Sequence, residues 1–242
     1  MNKRLLSIVS LFLIWLILSL IISNDIILPT PIAVISHLGE LMKTSVFYES
    51  ILMTFLRAHI GFIFSLVLGV VLALFCFKYQ ILEEVLSFWI KGLQTIPQIS
   101  FIIFLYFWLD AKWCVYVVIL LMAFPIAYFN FSEGLKSIGK DYLDLIQMTN
   151  HSWRYLVQKV YLPMCKPSLV ATIKGALPLS FKVCVMSEVL IFTTTGIGKQ
   201  LSLAKSALDM TSVFAWTIAF VGLVSIEMYL IHLILKKDKR FK

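Results

Sequence analysis

Residues 144–167 read DLIQMTNHSWRYLVQKVYLPMCKP, and this polar, basic stretch interrupts an otherwise apolar sequence. Helical spacing of apolar residues continues before and after a break at residues 150–153. Asn150 tolerates the left-handed conformation that ends a helix, and Ser152 can cap the helix that follows. The stretch therefore predicts a short amphipathic helix, a tight turn, and a second helix that meets Pro163 before the next apolar run. A short exposed helix of this kind is well placed to bind another protein.

The composition of the chain excludes an ordinary soluble domain. Of the 242 residues, 60% are hydrophobic and only 14% are charged, whereas soluble domains carry about 25% charged residues. Since a membrane span needs about 20 mostly apolar residues, the length accommodates about six spans with short loops. In a soluble chain, a net charge of +8 would favour nucleic acid as a partner. In a membrane protein, the positions of the basic residues instead indicate the orientation of the spans. We therefore expect an all-α membrane protein that contacts the lipid bilayer and no nucleic acid.

The apolar runs predict a single transmembrane domain over residues 1–242. A surface helix at residues 32–42 is expected between the first two spans, and a cytoplasmic coupling loop, residues 132–167, between spans four and five. In span two, Gly61 and Gly69 predict the close approach of a neighbouring helix. The six predicted spans cover about residues 5–22, 58–77, 95–109, 113–131, 168–192 and 212–235.

The basic residues predict the orientation of these spans. With both termini in the cytoplasm, fourteen Lys and Arg residues lie on the cytoplasmic side and five on the other side. Cytoplasmic loops of membrane proteins carry an excess of Lys and Arg. Both termini and the coupling loop are therefore predicted to be cytoplasmic.

Polar residues within the apolar runs are candidates for a solute pathway. Gln94 and Pro97 lie at the start of span three, where a proline interrupts the helical hydrogen bonds, so an irregular span is expected. Lys182 and Glu188 lie in span five, where charge is costly and favours a functional role. The structural alternative is that the lysine extends to the interface and that Glu188 lies near the outer interface.

Motifs of enzymatic chemistry are missing from the sequence. The GIGK sequence at residues 196–199 lacks the spacing of a phosphate-binding loop and follows no predicted strand, so the chain is not expected to bind ATP. The four cysteines have no metal-binding spacing, and the four histidines are dispersed. We expect no catalytic residue, no metal site and no cofactor in this chain. Passage of a solute is the function that remains.

Short motifs occur along the chain in a distinctive order. Asp144 stands six residues before Asn150, and the VYLP sequence at residues 160–163 closes the loop. This pattern resembles the "EAA" loop of bacterial ABC-importer permeases, with Asn150 in place of a glycine. Other sequences in the same order are LPTP at 28–31, TFLRAHIGF at 54–62, QTIP at 94–97, and Glu188 followed by GIG at 196–198. Over nearly its whole length the chain resembles permeases of the nitrate, sulfonate and taurine type.

The resemblance implies a permease subunit of an ABC importer in the bacterial cytoplasmic membrane. Two copies would form the pathway, two cytoplasmic ATPases would hold ATP and Mg²⁺ and bind the coupling helices, and an extracytoplasmic binding protein would deliver the solute. Closure of the ATPases would move the spans between inward-open and outward-open arrangements. The residues implied in ATPase coupling are Asp144, Gln147, Met148, Asn150, His151, Ser152, Trp153, Arg154, Leu162 and Pro163.

Other functions remain open at this point. A secondary carrier or channel would need no ATPase, but such carriers usually contain internal repeats, and the sequence has no clear repeat. An accessory membrane subunit would hold partners together without transport. By resemblance the solute is a small anion such as nitrate, a sulfonate, taurine or bicarbonate, and related permeases also carry pyrimidine-type vitamin precursors.

Overall fold

A computed structural model of the chain describes residues 3–139, 142 and 151–237. Within these ranges every regular element is helical, in agreement with the predicted all-α class. In chain order the elements are α1 (Lys3–Ile22), α2 (Pro31–Leu41), α3 (Ser45–Lys78), α4 (Gln80–Thr95), α5 (Gln98–Tyr106), α6 (Ala111–Lys136), α7 (Trp153–Leu156), a π-helical turn (Val157–Tyr161), α8 (Leu162–Met164), α9 (Lys166–Ile191), α10 (Ile197–Ser206) and α11 (Met210–Lys237).

Helices α3, α6, α9 and α11 are each long and apolar enough to cross a membrane. Helices α4 and α5 meet the same criterion only as a pair, and they are bent by 95° at the break between them. This bend agrees with the irregular third span expected at Pro97. Helix α1 coincides with the predicted first span, and its part Val9–Ile22 is apolar. Six spans with both termini in the cytoplasm stay a prediction.

The helix that contains the second predicted span starts well before that span. Helix α3 begins at Ser45, not near residue 58, and the Thr44 side chain caps it by accepting the N–H of Phe47 at 3.4 Å. The charge of Arg57 favours a boundary at residue 58 when the sequence is considered alone. In the fold that charge is paired inside the protein, and the helix therefore continues through it.

Two polar regions between the predicted spans are also helical. The region between predicted spans two and three forms most of α4, and the polar region after predicted span five contains α10. The surface helix predicted at residues 32–42 is confirmed as α2, and Thr30 caps it by accepting the N–H of Ala33 at 3.2 Å. Three of the polar regions among the described residues are therefore helical.

Helices α3, α6 and α9 form the core of the described protein. Helix α3 packs most extensively on α6, and α9 packs on both. A Cβ atom on Gly61 would lie 2.6 Å from Cγ2 of Ile119, and one on Gly69 would lie 2.5 Å from Cβ of Ala127. Between the two glycines, the Ser65 hydroxyl donates to the carbonyl of Gly61 at 2.7 Å. The close helix approach predicted for these glycines is confirmed.

Helix α11 is attached to the rest of the protein mainly through its first half. Ala215 and Trp216 are buried, and the Trp216 ring packs on Phe47 with centroids 5.5 Å apart. In the second half, Glu227 Oε1 lies 2.6 Å from Nε2 of His59 on α3. Most large apolar side chains of this second half are exposed in the single chain.

Candidate coupling region and solute pathway

Glu188 is the centre of a buried polar cluster that joins α3, α9 and the start of α10. Its side chain is fully buried, and Nη1 of Arg57 lies 2.7 Å from its Oε1. The Thr54 hydroxyl contacts both carboxylate oxygens, at 3.1 and 2.9 Å, and the N–H of Gly198 donates to Oε2 at 2.9 Å. Thr54 Oγ1 also accepts the N–H of Ile197 at 2.9 Å. A buried carboxylate needs such an ion-pair partner and such donors to offset its lost hydration.

The same cluster holds the loop that follows α9. Nη1 of Arg57 donates to the carbonyl of Thr195 at 2.6 Å, so one guanidinium nitrogen connects this loop and Glu188. Gly196 has a φ of 129°, and a Cβ atom there would lie 2.5 Å from the Glu188 carboxylate. Only glycine accepts this backbone conformation and this close approach.

Glu188 is enclosed by protein, and a pathway role for it stays a prediction. Its carboxylate is enclosed by protein within the single chain and has no exposed surface. The cluster also joins two of the separate motifs, TFLRAHIGF at 54–62 and the GIG sequence at 196–198. Predicted span two begins just after Arg57, and no partner is predicted for the charge of this residue. Opposite charges within two apolar runs are the signal from which this pair could be predicted.

Lys182 has the opposite surroundings to those of Glu188. It lies in α9 between the buried residues Phe181 and Val183, but its own side chain is exposed. Lys174 and Gly175, two turns earlier, are also exposed. At 1.5 Å per residue, Lys182 lies about 24 Å from the start of α9 and about 14 Å from its end. Two exposed lysines are therefore positioned well inside a helix long enough to span the membrane.

Gln94 and Pro97 lie at the break between α4 and α5. Ile96 has an extended backbone, with φ −76° and ψ 129°, as is usual for the residue before a proline. Gln94 and Gln98 line a cavity of about 220 Å³ that reaches Leu179 of α9. Pro97 shapes this break without lining the cavity. The break therefore brings an exposed Gln94 and a half-buried Gln98 to a cavity between the α4–α5 pair, α6 and α9.

Of the residues predicted to couple to the ATPase, the structure describes those from His151 onward. His151 and Ser152 are not helical, and the Ser152 hydroxyl caps α7 by accepting the N–H of Tyr155 at 3.4 Å. The helix cap predicted at Ser152 is confirmed. Arg154 is exposed, and so are Leu162 and Pro163. The predicted coupling residues that lie outside the described part are Asp144, Gln147, Met148 and Asn150.

Residues 153–164, here called the return segment, form the second helix that the sequence predicts, but this helix contains a π-helical turn. The N–H of Leu162 donates to the carbonyl of Val157, five residues back, which defines a π-helical turn. Pro163 has no N–H to donate, and it therefore interrupts the regular ladder just after this turn. Tyr161 is buried and packs on an aromatic ring of α3 at a centroid distance of 5.4 Å. The return segment is thus held against the end of α3.

Residues 65–240 match the family described as binding-protein-dependent transport system inner membrane component. The chain belongs to this family. It is therefore a membrane-embedded permease subunit of an ABC importer and not an enzyme. The match covers α6, the return segment, α9 with Lys182, and the part of α3 from residue 65 onward.

Two relatives of this permease have names that state a solute. The formylaminopyrimidine transport permease protein ThiX of Halalkalibacterium halodurans is 30% identical over 172 residues, which are 70% of this chain and 68% of that protein. The putative aliphatic sulfonates transport permease protein SsuC of Bacillus subtilis is 23% identical over 196 residues, 80% of this chain and 70% of that protein.

The fold of this permease is also found in a solved transporter. A chain of the MetNI methionine ABC transporter, crystallised in inward-facing conformations, aligns with a TM-score of 0.58 and 16% identity. The alignment covers 77% of this permease and 93% of that chain. The two proteins therefore share the arrangement of their helices.

Proposed function

We propose that two copies of this permease form the solute pathway of an ATP-driven importer in a bacterial cytoplasmic membrane. Two cytoplasmic ATPases, which bind ATP and Mg²⁺, and an extracytoplasmic binding protein are its partners. The family and the fold shared with a methionine ABC transporter support this assembly. Both chain termini and the coupling loop face the cytoplasm, as the distribution of basic residues favours.

The return segment transmits motion from the coupling loop to the pathway. It begins at the Ser152 cap and is anchored on α3 by the buried Tyr161. Only Cys165 separates α8 from α9, so a displacement of the return segment is passed directly to the helix that carries Lys182. The docking of the ATPase on Asp144 and Asn150 would drive this displacement.

The exposed lysines of α9 support an anionic solute. Placing a lysine at the centre of a membrane helix costs about 2.5–3.5 kcal/mol on insertion scales, and such residues therefore face a pathway or a partner more often than lipid. Lys182 and Lys174 lie on an exposed side of α9, away from the packed core. We infer that this side lines the route between the two copies and attracts a small anion of the sulfonate class. The exposure of Lys182 within α9 is the observation that carries this inference.

Transport by the reconstituted importer tests this role of Lys182. Lys182→Gln should lower uptake of an alkanesulfonate about tenfold, because a charge-assisted hydrogen bond contributes about 1.5–3 kcal/mol. Lys182→Arg should retain most of the uptake. Lys112→Gln, which removes an exposed lysine at the start of α6, is the matched control. Normal uptake by Lys182→Gln would contradict the anion pathway.

A pyrimidine-type precursor is the second candidate solute, because the relative with 30% identity is a formylaminopyrimidine permease. Uptake of labelled formylaminopyrimidine and of an alkanesulfonate should be measured in the same vesicles. Pyrimidine uptake that is insensitive to Lys182→Gln would favour this candidate over the anion. Uptake in vesicles that lack the ATPase would instead favour a secondary carrier or channel.

A further inference from the structure

A groove lies between the second half of α3 and the return segment. One part of it, a cavity of about 380 Å³, is lined by Phe75 and Trp153 among others. The neighbouring part, a cavity of about 520 Å³, is lined by Leu162 among others. Val71 and Gln158 line both cavities, so that the two parts form one continuous groove.

The α3 wall of this groove is an exposed apolar stripe. Val67, Val71 and Phe75 follow each other at four-residue spacing, and their exposed fractions are 54%, 40% and 54%. The other wall contributes Val157 and Leu162. The groove is therefore open at the surface of the helix bundle, and the side chains on both of its walls are mainly apolar.

The rim of the groove is basic. Arg154 lines the first cavity and Lys166 the second. Nζ of Lys78, at the end of α3, lies 5.3 Å from the centre of the Trp153 ring. Residues 151–187 contain no Asp or Glu. An apolar slot with a positive rim therefore lies at the end of a membrane-length helix.

We propose that this groove binds one anionic phospholipid of the cytoplasmic leaflet. An acyl chain occupies the apolar slot, and the phosphate lies at the rim beside Lys78 and Arg154, so that Arg154, which the resemblance implies in ATPase coupling, contacts lipid in this proposal. Basic pockets between helices on the cytoplasmic side bind anionic headgroups, and each basic residue near such a surface contributes about 1 kcal/mol. The apolar slot selects a lipid over free phosphate because a phosphate ion cannot fill it.

The bound lipid would stabilise the contact between the return segment and α3. This contact lies on the proposed route from the coupling loop to α9, so the leaflet composition would influence coupling. The inference rests on the proposed cytoplasmic position of the return segment. Lipid retention is nevertheless measurable on the purified permease whether or not the proposed transport activity is observed.

Native mass spectrometry of the purified full-length permease with its ATPase tests the site. Phosphatidylglycerol and phosphatidylcholine with identical acyl chains are added in parallel, and the protein should retain phosphatidylglycerol preferentially. Arg154→Gln and Lys78→Gln should each weaken the retention of phosphatidylglycerol about fivefold, because one basic residue near an anionic headgroup contributes about 1 kcal/mol. Val71→Trp, which fills the slot from an exposed position, should abolish it. Lys112→Gln, at the start of α6, should leave it unchanged.

Three outcomes would overturn the lipid site. Equal retention of the two lipids, unaffected by Arg154→Gln, would mean that the basic rim is not used. Displacement of phosphatidylglycerol by inorganic phosphate at matched concentration would indicate an anion site without a lipid chain. If Val71→Trp keeps the lipid but loses the ATPase or a second permease copy, the groove is a protein interface instead.

Discussion

Two glutamates within membrane-length helices pair with α3 in different ways. Glu188 of α9 pairs with Arg57 at 2.7 Å, and Glu227 of α11 pairs with His59 at 2.6 Å. Both oxygens of Glu188 have hydrogen-bond donors. Oε2 of Glu227, although buried, has no hydrogen-bond partner among the described residues. The two pairs lie close together along α3 and differ in how completely the carboxylate is satisfied.

This difference indicates which part of the protein is fixed and which part can move. The Glu188 cluster joins three elements and the loop after α9. Breaking it would therefore leave several buried polar groups without hydrogen-bond partners at once. The Glu227 pair joins α3 to a half-helix in which Val224, Met228 and Ile231 pack partly on the core while most other large apolar side chains are exposed. We infer that the Arg57 cluster is a permanent anchor and that the His59 contact is one that α11 can release at low cost.

The largest effect is expected from Glu188→Ala. This change leaves Arg57 buried without its partner, and it should lower the free energy of unfolding by about 3–5 kcal/mol. Thermal unfolding of the purified permease, followed as loss of the monodisperse peak, measures the effect. The double variant with Arg57→Met and Glu188→Met removes both charges and should recover part of the loss. Wild-type stability of Glu188→Ala would show that the cluster is not an anchor.

A smaller loss is expected from Gly196→Ala, which leaves both charges of the anchor in place. The φ of 129° and the contact with the Glu188 carboxylate disfavour any side chain here, at a cost of about 1–3 kcal/mol for the backbone alone. Gly39→Ala is the matched control, since a Cβ atom on Gly39 meets nothing within 4 Å. In a helix, that control should be neutral or stabilising by about 0.5–1 kcal/mol. Equal thermal midpoints for the two variants would contradict the proposed close fit of the loop.

The smallest effect is expected from Glu227→Gln. Glutamine can keep one hydrogen bond to His59, and the change removes a charge whose second oxygen has no partner. The free energy of unfolding should therefore change by no more than about 1 kcal/mol in either direction. The same thermal assay, run beside Glu188→Ala, makes the comparison direct. Losses of equal size in the two variants would mean that α11 is anchored as firmly as α9.

Several features of the fold follow from local sequence alone. Apolar runs predict helices α3, α6, α9 and α11, although not the start of α3, because its first turns carry polar residues. Pro97 predicts the break between α4 and α5, since a proline cannot donate to the helical ladder. Ser152 predicts the cap of α7 for an equally local reason. The π-helical turn is not predicted, because it depends on packing of the return segment against α3 as well as on Pro163.

By itself the sequence determined the membrane character of this permease, its helical class, the approximate positions of four membrane-length helices and the polar stretch between two of them. These properties depend on short runs of residues, because each run can span the bilayer only if it is itself long and apolar enough. Only the tertiary structure decided that Arg57 and Glu188, 131 residues apart, form a pair. It also decided that Glu188 is enclosed while Lys182 on the same helix is exposed. The physical reason is that helical periodicity defines the faces of α9, whereas the neighbours that cover each face come from distant parts of the chain.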